Sequence, residues 1–237
     1  MDVLSSHTLA SSTLFTVGDA FDILRMPSTG ADDFFVINEM TVAAHDLPAQ
    51  VLVPMLPAPR RLSIDEISND TDGLPIMRPR NFLLNCALPE TTISAMYPGL
   101  HRYLQLGDAM GVKTKYLCAS REPWFLTESI EPAPLLCTYA GVAARVAGRA
   151  FRFILNRTQA IGGTGYLNLY PKPPLSEIVR QRPAALHELW SMLSDIPASV
   201  VFGPDAHPDA GWHLIDEETL AHVPIPELEA WIARSGF

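Results

Sequence analysis

Apolar and polar residues alternate with a period of two in the second half of the chain, and the alternation predicts strands. FRFILN (Phe151 to Asn156) sets Phe151, Phe153 and Leu155 on one side and Arg152, Ile154 and Asn156 on the other, and YLNLYP (Tyr166 to Pro171) alternates as well. LLCTY (Leu135 to Tyr139) is a third strand-like run. FRFILN and YLNLYP are expected to pair as adjacent antiparallel strands, with the glycine-rich RTQAIGGTG forming the loop between them. Earlier, FFVIN (Phe34 to Asn38) and VLVPML (Val51 to Leu56) have the branched and aromatic content of short strands, and NDTDGLP around Gly73 reads as a turn.

The period changes between Pro89 and Gly111. Ile93, Met96, Leu100, Tyr103, Leu104 and Met110 recur at helical steps, with Pro98 dividing the pattern into two helices and Gly111 capping the second. Leu186, Leu189, Trp190, Leu193 and Ile196 predict an amphipathic helix beginning at Pro183, and PELEAWIAR from Pro226 a shorter one. Twenty-one prolines confine long helices to these few places. The expected fold is therefore mixed α+β: a domain of short antiparallel strands and a few helices over residues 1–174, with a helical C-terminal subdomain over 175–237 packed on it.

Composition adds bounds. A chain of 237 residues with 48% hydrophobic content can bury a substantial core. The start, MDVLSSHTLASSTLF, has no basic region ahead of an apolar one, and no apolar run is long enough to span a bilayer, so a cytoplasmic protein without membrane contact is expected. Cys86, Cys118 and Cys137 are odd in number and widely spaced, which argues for small core residues over a disulfide framework or zinc site. His207, His213 and His222 match no ligand spacing, and no metal is expected.

Charge changes the picture more. The formal net charge is −9, yet residues 97–182 carry 11 basic and 5 acidic side chains, against 5 and 12 before them and 1 and 9 after them. A basic segment inside an acidic chain is what a face for a polyanion would look like. Its cations are interleaved with aromatics, and arginine forks onto phosphate or guanine while asparagine reads adenine. The candidates for DNA contact are Arg152, Asn156 and Arg157, then Lys113, Lys115, Arg121 and Arg149, with Tyr139 and Tyr166 as stacking or groove-facing residues and Thr29 and Asp32 as weaker choices. Phe151, Phe153 and Trp124 are expected in the core. No catalytic residue is read: IGGTGY precedes a strand instead of opening a helix, and the chain has no Gly-x-Ser-x-Gly elbow, Walker lysine, His-Glu-x-x-His or Cys-x-x-Cys.

STGADDFFVIN (Ser28 to Asn38), YLCASREPWFLTE (Tyr116 to Glu128), PAPLLCTYAG (Pro132 to Gly141) and FRFILNRTQA followed by YLNLYPKP (Phe151 to Pro173) occur in this order. Together they resemble the C-terminal, target-recognition half of bacterial restriction-modification DNA methyltransferases, type II and IIG-like, that modify the exocyclic amino group of adenine. The resemblance extends from about Leu14 to Ile232. It implies an α and β domain that lies against double-stranded DNA and supplies sequence discrimination to a catalytic methyltransferase partner holding S-adenosylmethionine. In such enzymes the preceding domain carries a glycine-bearing cofactor turn and an Asn-Pro-Pro-Tyr or Asp-Pro-Pro-Tyr motif, and this chain has neither, because Pro173-Pro174 lies between Lys172 and Leu175. Gly165 also stands where the family has an asparagine before the Tyr-Leu of the last strand.

Two functions of different class follow. The first is a recognition module of a split or multi-subunit adenine-specific methyltransferase, which binds DNA but neither holds a cofactor nor methylates alone. The second is a protein-interaction or regulatory module in phage defence, derived from such a domain and without DNA readout, which the acidic balance and altered loop favour.

Overall fold

The computed structural model describes residues 15–138, 151–197, 199–200 and 216–237. Among them are eight strands: β1 (Phe21–Arg25), β2 (Val36–Asn38), β3 (Leu52–Met55), β4 (Glu66–Ile67), β5 (Asn81–Leu84), β6 (Leu135–Thr138), β7 (Phe153–Asn156) and β8 (Tyr166–Pro171). They form a five-stranded sheet of order β1-β8-β6-β7-β4 and a three-stranded sheet of order β2-β5-β3. The class is mixed α+β, as the hydrophobic pattern predicts.

The pairing of β7 with β8 is a correction. β6 lies between them, antiparallel to both, so β7 and β8 run in the same direction and residues 157–165 cross over β6 instead of closing a hairpin. Alternation reports which face a side chain takes, not which strand lies beside it, and β6, buried at all four positions, takes the slot between them.

Both faces of the large sheet are covered. On one, Leu135, Cys137, Phe153, Leu155, Leu167 and Leu169 pack under α7 (Leu175–Gln181), α8 (Ala185–Ser194), α9 (Glu217–Ala221) and α10 (Leu228–Arg234). Leu189, Leu193 and Ile196 supply the buried stripe of α8 that the sequence predicts, and the Trp190 indole donates to the Phe153 carbonyl at 3.1 Å. On the other face, Leu136, Ile154 and Tyr166 pack against Leu56, Leu62, Ile67 and Ala160. The two sides of FRFILN are thus real, but each faces a core.

The small sheet carries its own core with α2 (Asp32–Phe35), α3 (Glu39–His45), α4 (Glu90–Met96), α5 (Pro98–Ala109) and α6 (Tyr116–Ala119). Phe34 and Phe35 close a helical turn ahead of β2 instead of starting the strand, because their rings join Tyr103 and Trp124; Phe34 stacks on Tyr103 at 4.7 Å. Gly107 makes that possible, since a Cβ there would come within 2.5 Å of the Phe34 ring. Pro98 begins α5, and Gly111 follows its end at φ 76°, a left-handed value that glycine adopts at little cost. Cys86, Cys118 and Cys137 are buried and unpaired.

Candidate nucleic-acid interface

Strand β7 gathers the foremost sequence candidates, and the fold turns most of them inward. Arg152 is 2% exposed. Its Nε donates to Asp65 at 2.7 Å, Nη1 to the Pro59 carbonyl at 2.9 Å, and Nη2 to the carbonyls of Leu62 at 2.8 Å and Ile64 at 3.1 Å. Asn156 is 3% exposed and fully satisfied: Nδ2 donates to the Ala133 and Ala160 carbonyls, while Oδ1 accepts from the backbone and hydroxyl of Thr158. It shapes the turn into the crossover. Tyr166 is buried, donates to the Pro57 carbonyl at 2.6 Å, and its burial raises the phenol well above its usual range, so the hydroxyl stays a donor. Arg157 is exposed, with its Nε 2.8 Å from Glu66. A cation in the middle of a sheet covered on both faces must find acceptors inside, because an unpaired buried charge is too costly.

Of the second group, Lys113 and Lys115 stay at the surface. After α5 ends, the chain makes a 3-10 turn at Val112–Thr114 and enters α6. Lys113 and Lys115 are exposed and enter no ion pair among the described residues, and Tyr116 beside them is 86% exposed. Beneath this turn lies the loop from Ser28 to Ala31. Arg121 fastens it, donating from Nη1 to the Thr29 carbonyl at 2.8 Å and from Nη2 to the Ser28 carbonyl at 2.9 Å. Gly30, at φ 80°, lies so close that a Cβ would meet that of Leu117 at 2.8 Å. Thr29 is buried and donates to Asp32, closing the loop from within. Two ammonium groups and a phenol are therefore displayed on a braced turn, a set that can meet phosphates and stack on or against a sugar or base.

Tyr139 and Arg149 fall outside the described residues. Phe151, Phe153 and Trp124 are buried, as expected. Tyr116 belongs to the exposed turn although no pattern ranks it above the other aromatics. Arg60 and Arg61 lie outside the basic stretch, yet both are exposed and without an ion pair among the described residues; a double arginine directly after Pro57-Ala58-Pro59 is the signal that marks them.

The glycine loop does not fit a phosphate cradle. A Cβ on Gly162 would meet Leu136 at 2.2 Å and Asn168 at 2.5 Å, one on Gly163 would meet Met55 at 2.9 Å, and one on Gly165 would meet Pro59 at 2.7 Å. These glycines bring the crossover against the protein itself, where Ile161 bridges Met55 in parallel. No group of three His, Cys, Asp or Glu is placed to hold a metal among the described residues, and none of the described helices is long and apolar enough to cross a membrane.

Residues 7–175 match the family model described as type II methyltransferase M.Eco57I, C-terminal domain. The match takes in both sheets and ends at the first residue of α7.

Proposed function

The chain belongs to the family of C-terminal domains represented by that of the type II methyltransferase M.Eco57I, and on that premise we propose that it is the DNA target-recognition module of an adenine-specific methyltransferase. It works with a catalytic domain that binds S-adenosylmethionine and does not methylate alone. Recognition belongs to residues 1–174, with the helices from residue 175 supporting the large sheet from its other face.

The observation that supports this reading best is the Lys113–Lys115–Tyr116 turn, exposed, free of ion pairs among the described residues and fastened to the Ser28–Ala31 loop by Arg121. Phosphate contact and base readout need a rigid surface with uncompensated cations, whereas methyl transfer needs cofactor binding and base flipping, which another domain supplies.

Titration of mixed-sequence duplexes with the chain at low ionic strength, with and without the catalytic domain, tests the reading. The expected result is binding that weakens steeply as salt is added. Absent or salt-insensitive binding in both arms overturns it.

The burial of Arg152 takes one cation from the surface and that of Asn156 one amide suited to base readout, which favours the second reading, a protein-interaction module without DNA readout. Replacing Arg152 would not separate the two, because the variant reports on folding. Lys113→Ala with Lys115→Ala does: loss of DNA affinity in a folded protein supports recognition, and unchanged DNA affinity with loss of a protein complex supports the alternative.

A further inference from the structure

A buried arginine is an expensive way to hold a loop, and Arg152 holds one that exposes two further arginines. The segment from Leu56 to Ile67 is pinned nearly residue by residue. Leu56, Leu62 and Ile67 are buried in the core under the large sheet. Tyr166 binds the Pro57 carbonyl, and Arg152 binds the carbonyls of Pro59, Leu62 and Ile64 together with the Asp65 carboxylate. Pro59 is itself buried, seated where a Cβ on Gly165 would collide with it. The 3-10 turn Pro59–Arg61 is closed by the Arg61 amide on the Ala58 carbonyl at 2.8 Å. At the crest of this framework stand Arg60 and Arg61, both exposed.

The carboxylates of the segment are engaged as well. Asp65 meets Arg152 and Glu66 meets Arg157, so the arginines flanking β7 engage the two acidic side chains of the segment. The result is a local positive surface on a rigid backbone in a chain of net charge −9.

We propose that Arg60 and Arg61 contact the phosphate backbone of duplex DNA, and that Arg152 and Tyr166 are positioning residues that hold the turn in its binding shape. The proposal rests on the recognition reading above. A guanidinium fork matches phosphate oxygens in a way that an ammonium does not, and phosphate contacts fix the register of a protein on a duplex. Holding the turn beforehand removes the ordering cost that a loose arginine loop would bear on binding.

The test follows anisotropy of a labelled mixed-sequence duplex across a salt series. Arg60→Ala with Arg61→Ala keeps the wild-type thermal midpoint and lowers the slope of log affinity against log salt by about 2, one for each guanidinium withdrawn from a phosphate. Tyr166→Phe keeps the ring in the core and removes the hydroxyl anchor. It weakens binding about fivefold when Arg60 and Arg61 are present and has no effect on affinity when both are alanine, a coupling that general destabilisation does not produce.

Unchanged slope and affinity in the double alanine variant overturn the inference while leaving the recognition reading intact, provided the wild type binds in a salt-dependent way. Equal weakening by Tyr166→Phe in both backgrounds overturns the positioning role. Loss of an acidic protein partner with DNA binding intact overturns the assignment of DNA as occupant. A wild type that binds no duplex at low salt, either alone or with the catalytic domain, overturns the recognition reading, and this proposal with it.

Discussion

Arg152 on the flank of β7 and Lys113 after α5 come from the same basic stretch and carry the same charge, but the fold uses them in opposite ways. Arg152 enters a sheet covered on both faces, so its guanidinium is surrounded by carbonyls and a carboxylate. Lys113 sits in a turn past a glycine-terminated helix, where nothing in the described structure competes for its ammonium group. A local excess of cations therefore says that charge is present, whereas the covering of each element decides whether the charge is scaffold or surface.

Arg152→Met breaks the comparison most directly. It removes the buried guanidinium that meets Asp65 and three carbonyls, and the expected loss is about 3–5 kcal/mol of folding stability, read by urea unfolding. A loss below about 1 kcal/mol would mean that the loop finds water instead of the guanidinium. Asn156→Ala is next. It removes the Nδ2 that donates to the Ala133 and Ala160 carbonyls and the Oδ1 that accepts twice from Thr158, at an expected cost of about 2–3 kcal/mol in the same measurement.

On the surface side, Lys113→Ala with Lys115→Ala should leave stability within about 0.5 kcal/mol of wild type while reducing the salt slope of DNA binding by about 2. That pairing of a silent unfolding curve with a changed titration is the reverse of what Arg152→Met gives. It sharpens the contrast between the two regions.

The smallest effect concerns pH and a helix that packs on the large sheet from its other face. Glu188 on α8 is held below the ordinary carboxylate range, first by the Arg182 guanidinium and then by the Trp231 indole, which donates to it at 2.7 Å. A carboxyl whose folded value is depressed stabilises the fold fully above its ordinary value of 4.5 and loses that contribution as pH falls through the lower folded value. Thermal midpoints of Glu188→Gln should therefore fall less than those of wild type on acidification below about 4.5, with the two curves parallel near neutrality.

Much of the fold was legible where a local pattern coincides with the tertiary role. Pro98 and Gly111 punctuate α5 because one lacks an amide hydrogen and the other tolerates a left-handed backbone. The strands β3, β6, β7 and β8 lie within the runs that predict them. What was not legible depends on partners far along the chain. β1 and β4 are short, and their identity comes from pairing with β8 and β7. The insertion of β6 between β7 and β8 is likewise invisible to alternation, which reports faces but not neighbours. For the candidate site, residue chemistry singles out Lys113 and Lys115, which a local turn leaves exposed, and Arg121, although its partners Ser28 and Thr29 lie about ninety residues earlier. It could not tell that Arg152, Asn156 and Tyr166 face a second core, because that core is built by Leu56, Leu62 and Ile67 from a segment about ninety residues earlier.

The antiparallel ladder that joins Phe21 to Pro171 has a consequence for how the molecule is made. During synthesis the first strand leaves the ribosome long before its mate exists, so Val17 and Phe21 wait in water, without the cover they have in the finished protein, while about 150 further residues are added. A nascent chain halted ahead of Tyr166 has an unclosed large sheet and leaves Val17 and Phe21 exposed to holdase chaperones or self-association, whereas the small-sheet core, drawn from Met26 to Ile161, already has its members.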